Sequence, residues 1–311
     1  MIQLREHQTE TLNRLSEYNK GQVIVPTGGG KTMCMIQDAI REFDSGWKTI
    51  VVVAPRILLA NQLSSEFLEV IREKYRYVQV MHVHSGETHH FSTTSPVKIA
   101  EWSRFSKGNK IIFTTYHSLH RIKQSYAHID TIYFDEAHNS VQRNFYPATE
   151  HFATRDNSRC FFFTATPKHS TTVEKPGMNN EKVYGKVIIN VPAPKLVKEG
   201  HILPPKVIIK KIDVVDDSRF GYEKDCDHVI STIDDIDVDK ILICARSTKQ
   251  IVSLTSLSDF CIQLKDRGYN WMYITAKTGA IINGKKVDRE SFFNTLNSWG
   301  KGNERFVVLH H

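Results

Sequence analysis

Two short runs in this sequence combine residue types suited to phosphate chemistry. The first is Val25-Pro26-Thr27-Gly28-Gly29-Gly30-Lys31-Thr32, set between an apolar run at 23–25 and a segment with a helical pattern at 33–41. Three consecutive glycines remove the Cβ atoms that would keep backbone N–H groups away from phosphate oxygens. A following helix N-terminus adds N–H groups with no internal partner. Lys31 is placed to reach the β- and γ-phosphates, and the Thr32 hydroxyl to hold Mg2+. The general phosphate-loop pattern asks for glycine where this chain has Val25, and a Gly-Lys-Thr triplet alone also suits a helix start after an ordinary turn. The preceding strand and the run of glycines favour a nucleoside triphosphate.

The second run is Thr131-Ile132-Tyr133-Phe134-Asp135-Glu136-Ala137-His138. An apolar strand here delivers two adjacent carboxylates at its C-terminal end, the edge of an open parallel sheet where ligands bind. Asp135 is read as the holder of Mg2+, directly or through water, and Glu136 as the group that polarises the water attacking the γ-phosphate. Asp-Glu also suits a helix N-terminus; the phosphate loop upstream favours catalysis. Farther on, Thr164-Ala165-Thr166-Pro167 follows Phe161-Phe162-Phe163. The hydroxyls of Thr164 and Thr166 are placed to bond the carboxylate or His138 and so sense the γ-phosphate. The plain alternative is a strand-ending turn, because Thr-Pro often opens a loop.

The elements that must position these groups read as alternating strands and helices. Residues 22–25, 49–54, 78–83, 110–114, 131–134 and 160–164 are short apolar or β-branched runs, as expected of strands covered on both faces. Helical spacing marks 4–18 and 57–74. The fold class is therefore α/β, with parallel sheets and helices on both sides. A polar stretch at 168–181 reads as a loop, the pattern resumes at 183–191, and a proline-rich stretch follows at 192–205. A second series has strands at 206–212, 240–245, 271–275 and 305–309, with helices at 248–267 and 289–299. The acidic run 234–239 reads as a solvated helix end.

Pro-Thr-Gly-Gly-Gly-Lys-Thr, Asp-Glu-Ala-His and Thr-Ala-Thr-Pro, in this order and spacing, resemble the superfamily 2 helicases and translocases, in the Asp-Glu-Ala-His (DEAH) spelling. That family commonly lacks the first loop glycine, which accommodates Val25. The resemblance implies two tandem RecA-like P-loop domains, at 1–195 and 206–311, and ATP hydrolysis with Mg2+ coupled to movement along nucleic acid. Leu4-Arg5-Glu6-His7-Gln8 is similar to the family's adenine-reading segment, with Gln8 as the base contact. Pro55 and Arg56, Ser85 and Gly86, Thr115, and Arg246 in the second domain fall where the family touches the nucleic-acid backbone. Such contacts imply sequence-independent, salt-sensitive binding. The run from Leu196 to Pro205 resembles the DNA branch, which includes restriction-enzyme motor subunits and phage DNA helicases, so DNA is favoured over RNA. The family also has a further loop and an arginine-finger segment past the position of Leu309. Arg267, Arg289 and Arg305 precede that region, so the second domain is expected to be incomplete, with little turnover and a poorly covered strand at 305–309.

The 311 residues suit two ordinary domains, and no apolar run has the length of a membrane span. A net charge of +7 permits a polyanionic partner without demonstrating one. Five scattered cysteines without Cys-x-x-Cys spacing look like free thiols of a reducing cytoplasm, the host's if the chain is viral. His82, His84, His89 and His90 cluster, but the Ser85-Gly86-Glu87 loop among them and the lack of a nearby cysteine disfavour a metal set. Two further readings remain: a motor subunit serving a nuclease or other subunit in a restriction or repair complex, and a nucleotide-dependent binding module that does not unwind.

Overall fold

The computed structural model describes residues 3–155, 158–172, 174–204, 206–211 and 218–311. The chain forms two compact units, Met1–Lys206 and Val207–His311.

The described residues of the first unit form eight strands: β1 (Lys20–Ile24), β2 (Thr49–Ala54), β3 (Gln79–Val83), β4 (Phe91–Ser92), β5 (Lys110–Thr115), β6 (Thr131–Phe134), β7 (Arg159–Thr164) and β8 (Val187–Asn190). They form one sheet in the order β4-β3-β5-β2-β6-β7-β1-β8, parallel at every pairing. Its helices are α1 (Glu6–Glu17), α2 (Lys31–Asp44), α3 (Ile57–Lys74), α4 (Pro96–Phe105), α5 (Leu119–Ser125), α6 (Tyr146–Ala153), α7 (Glu181–Tyr184) and α8 (Ala193–Lys198).

The period of two along the strands divides their side chains between two cores. Val52, Phe161 and Phe163 pack with Leu15, Ile36, Phe43 and Phe67 of α1, α2 and α3. Val51, Val53, Phe134 and Phe162 pack with Leu119, Ile122 and Phe152 of α5 and α6. Both faces are covered, which is why these strands are mostly apolar. Because all strands run the same way, their C-terminal ends share one edge. Along it lie, in order, the residues after β3, β5, β2, β6, β7 and β1.

The second unit contains α9 (Gly221–Ile236), β9 (Lys240–Cys244), α10 (Thr248–Leu257), α11 (Phe260–Asp266), β10 (Asn270–Thr275), β11 (Gly279–Ile282), β12 (Lys285–Val287), α12 (Arg289–Lys301) and β13 (Phe306–His310). Its sheet has the order β12-β11-β10-β13-β9. The last three strands of that order are parallel, while β10, β11 and β12 pair antiparallel. The expectation of a wholly parallel second sheet is thus corrected by a hairpin. Asn283 and Gly284, both at positive φ, form its two-residue turn.

Other expectations change as well. Residues 206–211 form no strand, and Ile212 lies outside the described residues. The helix expected over 248–267 breaks at Ser258-Asp259 into α10 and α11. Strand β13 is central and buried, not poorly covered, because β9 and β10 flank it. The parallel part of the sheet has its edge at β9, whose Leu242 is 64% exposed. Among the described residues, no helix is long and apolar enough to cross a membrane.

Candidate nucleotide site

The glycine loop leaves the C-terminal end of β1 and enters α2. Gly28 and Gly30 both adopt positive φ, +78° and +84°, where a side chain is strained. At Gly30 the space is closed too: an added Cβ would lie 2.2 Å from Gln8 Nε2. The loop is held from one side by the start of α1. Arg5 Nη1 donates to the Gly28 carbonyl (3.1 Å), His7 Nε2 to the Gly29 carbonyl (2.7 Å) and Gln8 Nε2 to the Gly30 carbonyl (3.4 Å). In a trans peptide the C=O of one residue and the N–H of the next point oppositely. Anchoring these carbonyls on α1 therefore turns the N–H groups of Gly30 and Lys31 away from it, which is the arrangement a phosphate cradle needs. Gln8 Oε1 also accepts from the Arg5 N–H at 2.9 Å, so its amide already bonds protein on both ends and has one donor and one acceptor position left. Pro26 is half-buried, Thr27 exposed, and Thr32 half-buried in the first turn of α2.

Lys31 is buried at the foot of the loop. Its ammonium donates to the Val25 carbonyl (3.3 Å) and lies 3.8 Å from Glu136 Oε1. The sequence-distant phosphate-loop lysine and the carboxylate after β6 therefore meet. Glu136 sits at φ +45°, ψ +53°, a left-handed conformation uncommon for a residue with a side chain. Its carbonyl accepts from the Asn139 side chain at 2.9 Å, which helps hold that shape. Strain of this kind collects where function fixes the backbone. Asp135 has its carboxyl pushed up to about 6, mainly by burial and then by the neighbouring Glu136 charge; Lys31 offsets this only in part. With the Thr32 hydroxyl, Asp135 offers the hard oxygen donors that Mg2+ prefers.

His138 joins the carboxylates to β7. The Asn139 amide donates to Nε2 (3.3 Å), which places the ring proton on Nδ1. Nδ1 lies 3.0 Å from Thr164 Oγ1 and 3.4 Å from Glu136 Oε2. Thr164 is buried and accepts from the Thr166 N–H at 3.1 Å; Thr166 itself is exposed. A continuous chain thus runs from Lys31 through Glu136 and His138 to Thr164 and the loop after β7.

Several supporting residues escaped sequence reasoning. Arg159 bridges Asp38 (3.2 Å) and Glu42 (2.7 Å), and the Tyr133 hydroxyl donates to Asp38 at 2.7 Å. These bonds lock α2, whose N-terminus carries the loop, to β6 and β7. Tyr116 donates to the Asp135 carbonyl at 2.8 Å. None carries a local motif, because each partner is remote in sequence. The residues expected to touch nucleic acid divide by exposure. Arg56 and Ser85 are exposed, Pro55 and Gly86 half-buried, and Arg246 is exposed after β9 in the second unit. Thr115 is only 3% exposed, so a contact through its hydroxyl is not supported. In the histidine cluster, His82 uses Nδ1 on His84 and Nε2 on Ser64, both at 3.0 Å, and burial holds its ring at a pKa of about 3.

Residues 1–169, more than half of the chain, match the family described as "Type III restriction enzyme, res subunit" (ResIII). Among solved structures, the ATP-dependent Type ISP restriction-modification enzyme LlaBIII bound to DNA superposes with a TM-score of 0.66 at 16% identity, covering 99% of this chain and 24% of that one. A nuclease-deletion mutant of the Type ISP enzyme LlaGI, in complex with a DNA substrate mimic, gives a TM-score of 0.50 at 19% identity, covering 76% of this chain and 23% of that one. The chain thus spans about a quarter of the length of these structures. No curated protein matches it. On the matched residues, the chain belongs to the ResIII family, within the superfamily 2 helicases and translocases.

Proposed function

We propose that this chain is the ATP-hydrolysing part of a motor that moves along, or separates, nucleic-acid strands, with DNA favoured over RNA. The observation that carries the proposal is the meeting of Lys31 with Glu136 at 3.8 Å, at the edge where the glycine loop and both carboxylates emerge. ATP would lie on the N–H side of the loop, its phosphates taken by Gly28 to Lys31. Gln8 has one donor and one acceptor left for the base. Mg2+, held by Thr32 and Asp135, would neutralise charge on the phosphates. Phosphate binding would draw Lys31 away from Glu136 and leave that carboxylate free to polarise the attacking water. His138 and Thr164 would carry the change toward the loop after β7. On the same edge, Arg56 and Ser85 are exposed for backbone contacts to nucleic acid, with Pro55 and Gly86 shaping those loops; Arg246 would contribute from the second unit.

DNA is favoured by the run from Leu196 to Pro205 and by the DNA-bound state of the restriction enzymes that share the fold. The same two enzymes support a more specific reading, a motor that serves a restriction complex. The test is phosphate release from ATP with Mg2+, with and without single-stranded DNA or RNA, for the chain and for Glu136→Gln. DNA should stimulate release more than RNA does. The variant should keep nucleotide binding and lose release at least about 100-fold, in keeping with removal of a general base. Measurable release unaffected by either nucleic acid would overturn the motor reading, and parental release in Glu136→Gln would move the base elsewhere.

A further inference from the structure

We propose that His7, Glu199 and His201 form a zinc site that ties the end of α8 to the glycine loop. One donor atom from each of the three lies within 4.8 Å of the others. The tautomer of His7 is fixed by its partner. The Gly29 carbonyl can only accept, so the 2.7 Å bond puts the ring proton on Nε2. Nδ1 is then a bare lone pair, and it has no hydrogen-bond partner although the residue is fully buried. A ring that donates one N–H to a carbonyl and keeps its other nitrogen free of protein partners is the usual preparation of a metal-binding histidine.

The other two ligands are also placed by backbone structure. Helix α8 is followed by Glu199 as its C-cap, and Gly200 turns the chain at φ +71°. The His201 N–H then returns to the Leu196 carbonyl at 2.8 Å, a closed helix terminus. This brings His201 Nε2 to 3.6 Å from Glu199 Oε2, with the His7 and His201 rings 5.7 Å apart. Lys195 lies 3.8 Å from the other Glu199 oxygen and is the only ion-pair cation competing for that carboxylate among the described residues. Two imidazoles and a carboxylate, partly open to solvent, match a three-ligand zinc centre with water in the fourth position.

Zinc on Nδ1 would hold the Nε2–H tautomer and strengthen its bond to the Gly29 carbonyl. The segment involved already packs on the loop: a Cβ added at Gly29 would meet Leu196 at 3.1 Å, and one at Gly28 would meet Ile202 at 3.2 Å. Zinc would therefore stiffen the loop. Any effect on nucleotide rests on the proposed role of that loop, whereas zinc binding itself does not.

The test is calorimetric titration of the nucleotide-free 311-residue chain with zinc chloride, beside His201→Ala and Glu199→Gln. One zinc per chain should bind, and each variant should lose about tenfold or more in affinity. Hydrogen exchange of the 28–31 amides should slow with zinc in the parent and not in His201→Ala. Absence of saturable binding, or equal affinity in parent and both variants, would overturn the site and assign any bound zinc to other histidines. Binding with unchanged exchange at 28–31 would overturn the tie to the loop.

Discussion

Replacing Gly30 with alanine should destabilise the first unit by about 2–4 kcal/mol, through two separable causes. A residue with a Cβ at φ +84° carries a left-handed penalty of about 1–2 kcal/mol. The new methyl carbon would also stand 2.2 Å from Gln8 Nε2, so the Gln8 side chain must leave. That breaks its bonds to the Gly30 carbonyl (3.4 Å) and from the Arg5 N–H (2.9 Å). Such bonds contribute roughly 0.5–1.5 kcal/mol each, the longer one at the low end. Urea unfolding of the parent, Gly30→Ala, Gln8→Ala and the double variant separates the causes. Once Gln8 is truncated the steric part is gone, so the double variant should be more stable than the sum of the single effects by about 1 kcal/mol. Gly108→Ala is the control: φ is +90° there but no atom lies within 4 Å, so only the conformational penalty should appear. A Gly30→Ala protein within about 0.5 kcal/mol of the parent, or strict additivity in the double variant, would refute the contact between α1 and the loop.

Two further outcomes follow from the buried charges. With its carboxyl at about 6 in the folded chain and near 3.9 when unfolded, Asp135 holds its proton more tightly when folded. Its favourable contribution is present below pH about 4 and is lost as pH rises through 6; Asp135→Asn should thus gain on the order of 2–3 kcal/mol relative to the parent above pH 7, read from melting curves against pH in metal-free buffer. Arg159→Met should cost about 3–5 kcal/mol in chemical unfolding, because it strips the cation from the almost fully buried Asp38; adding Asp38→Leu should recover part of that loss.

Much of the first unit was legible because its chemistry is local. Thr49–Ala54 is apolar after its first residue and is buried at all six positions, as a strand covered on both faces must be. The glycine loop was legible because its two positive-φ positions admit few other residues. What the sequence hid depends on partners far along the chain. Nothing near Arg5, His7 or Gln8 announces three bonds to residues 28–30, and nothing near Arg159 announces Asp38. Spacing put Thr115 at a strand end without saying that its side chain would be buried. The β-branched run 206–212 reads as a strand by propensity, yet Val207, Ile208 and Ile209 are exposed, since propensity without a pairing neighbour does not make a strand. The hairpin was missed despite a signal: Asn283-Gly284 between two short runs is a strong two-residue turn.

The assignment of residues 26–32 as a phosphate cradle is tested most directly by equilibrium titration of ATP into the parent and Lys31→Ala, with circular dichroism on both. Among the described residues the Lys31 ammonium bonds the Val25 carbonyl and Glu136, both at the loop rather than in the hydrophobic core, so the fold should survive. Losing a charge-assisted contact to phosphate should weaken binding by about 2–3 kcal/mol, roughly 30- to 150-fold in dissociation constant. Equal affinity in parent and variant, with matching dichroism spectra, would show that the triphosphate is not held at this loop.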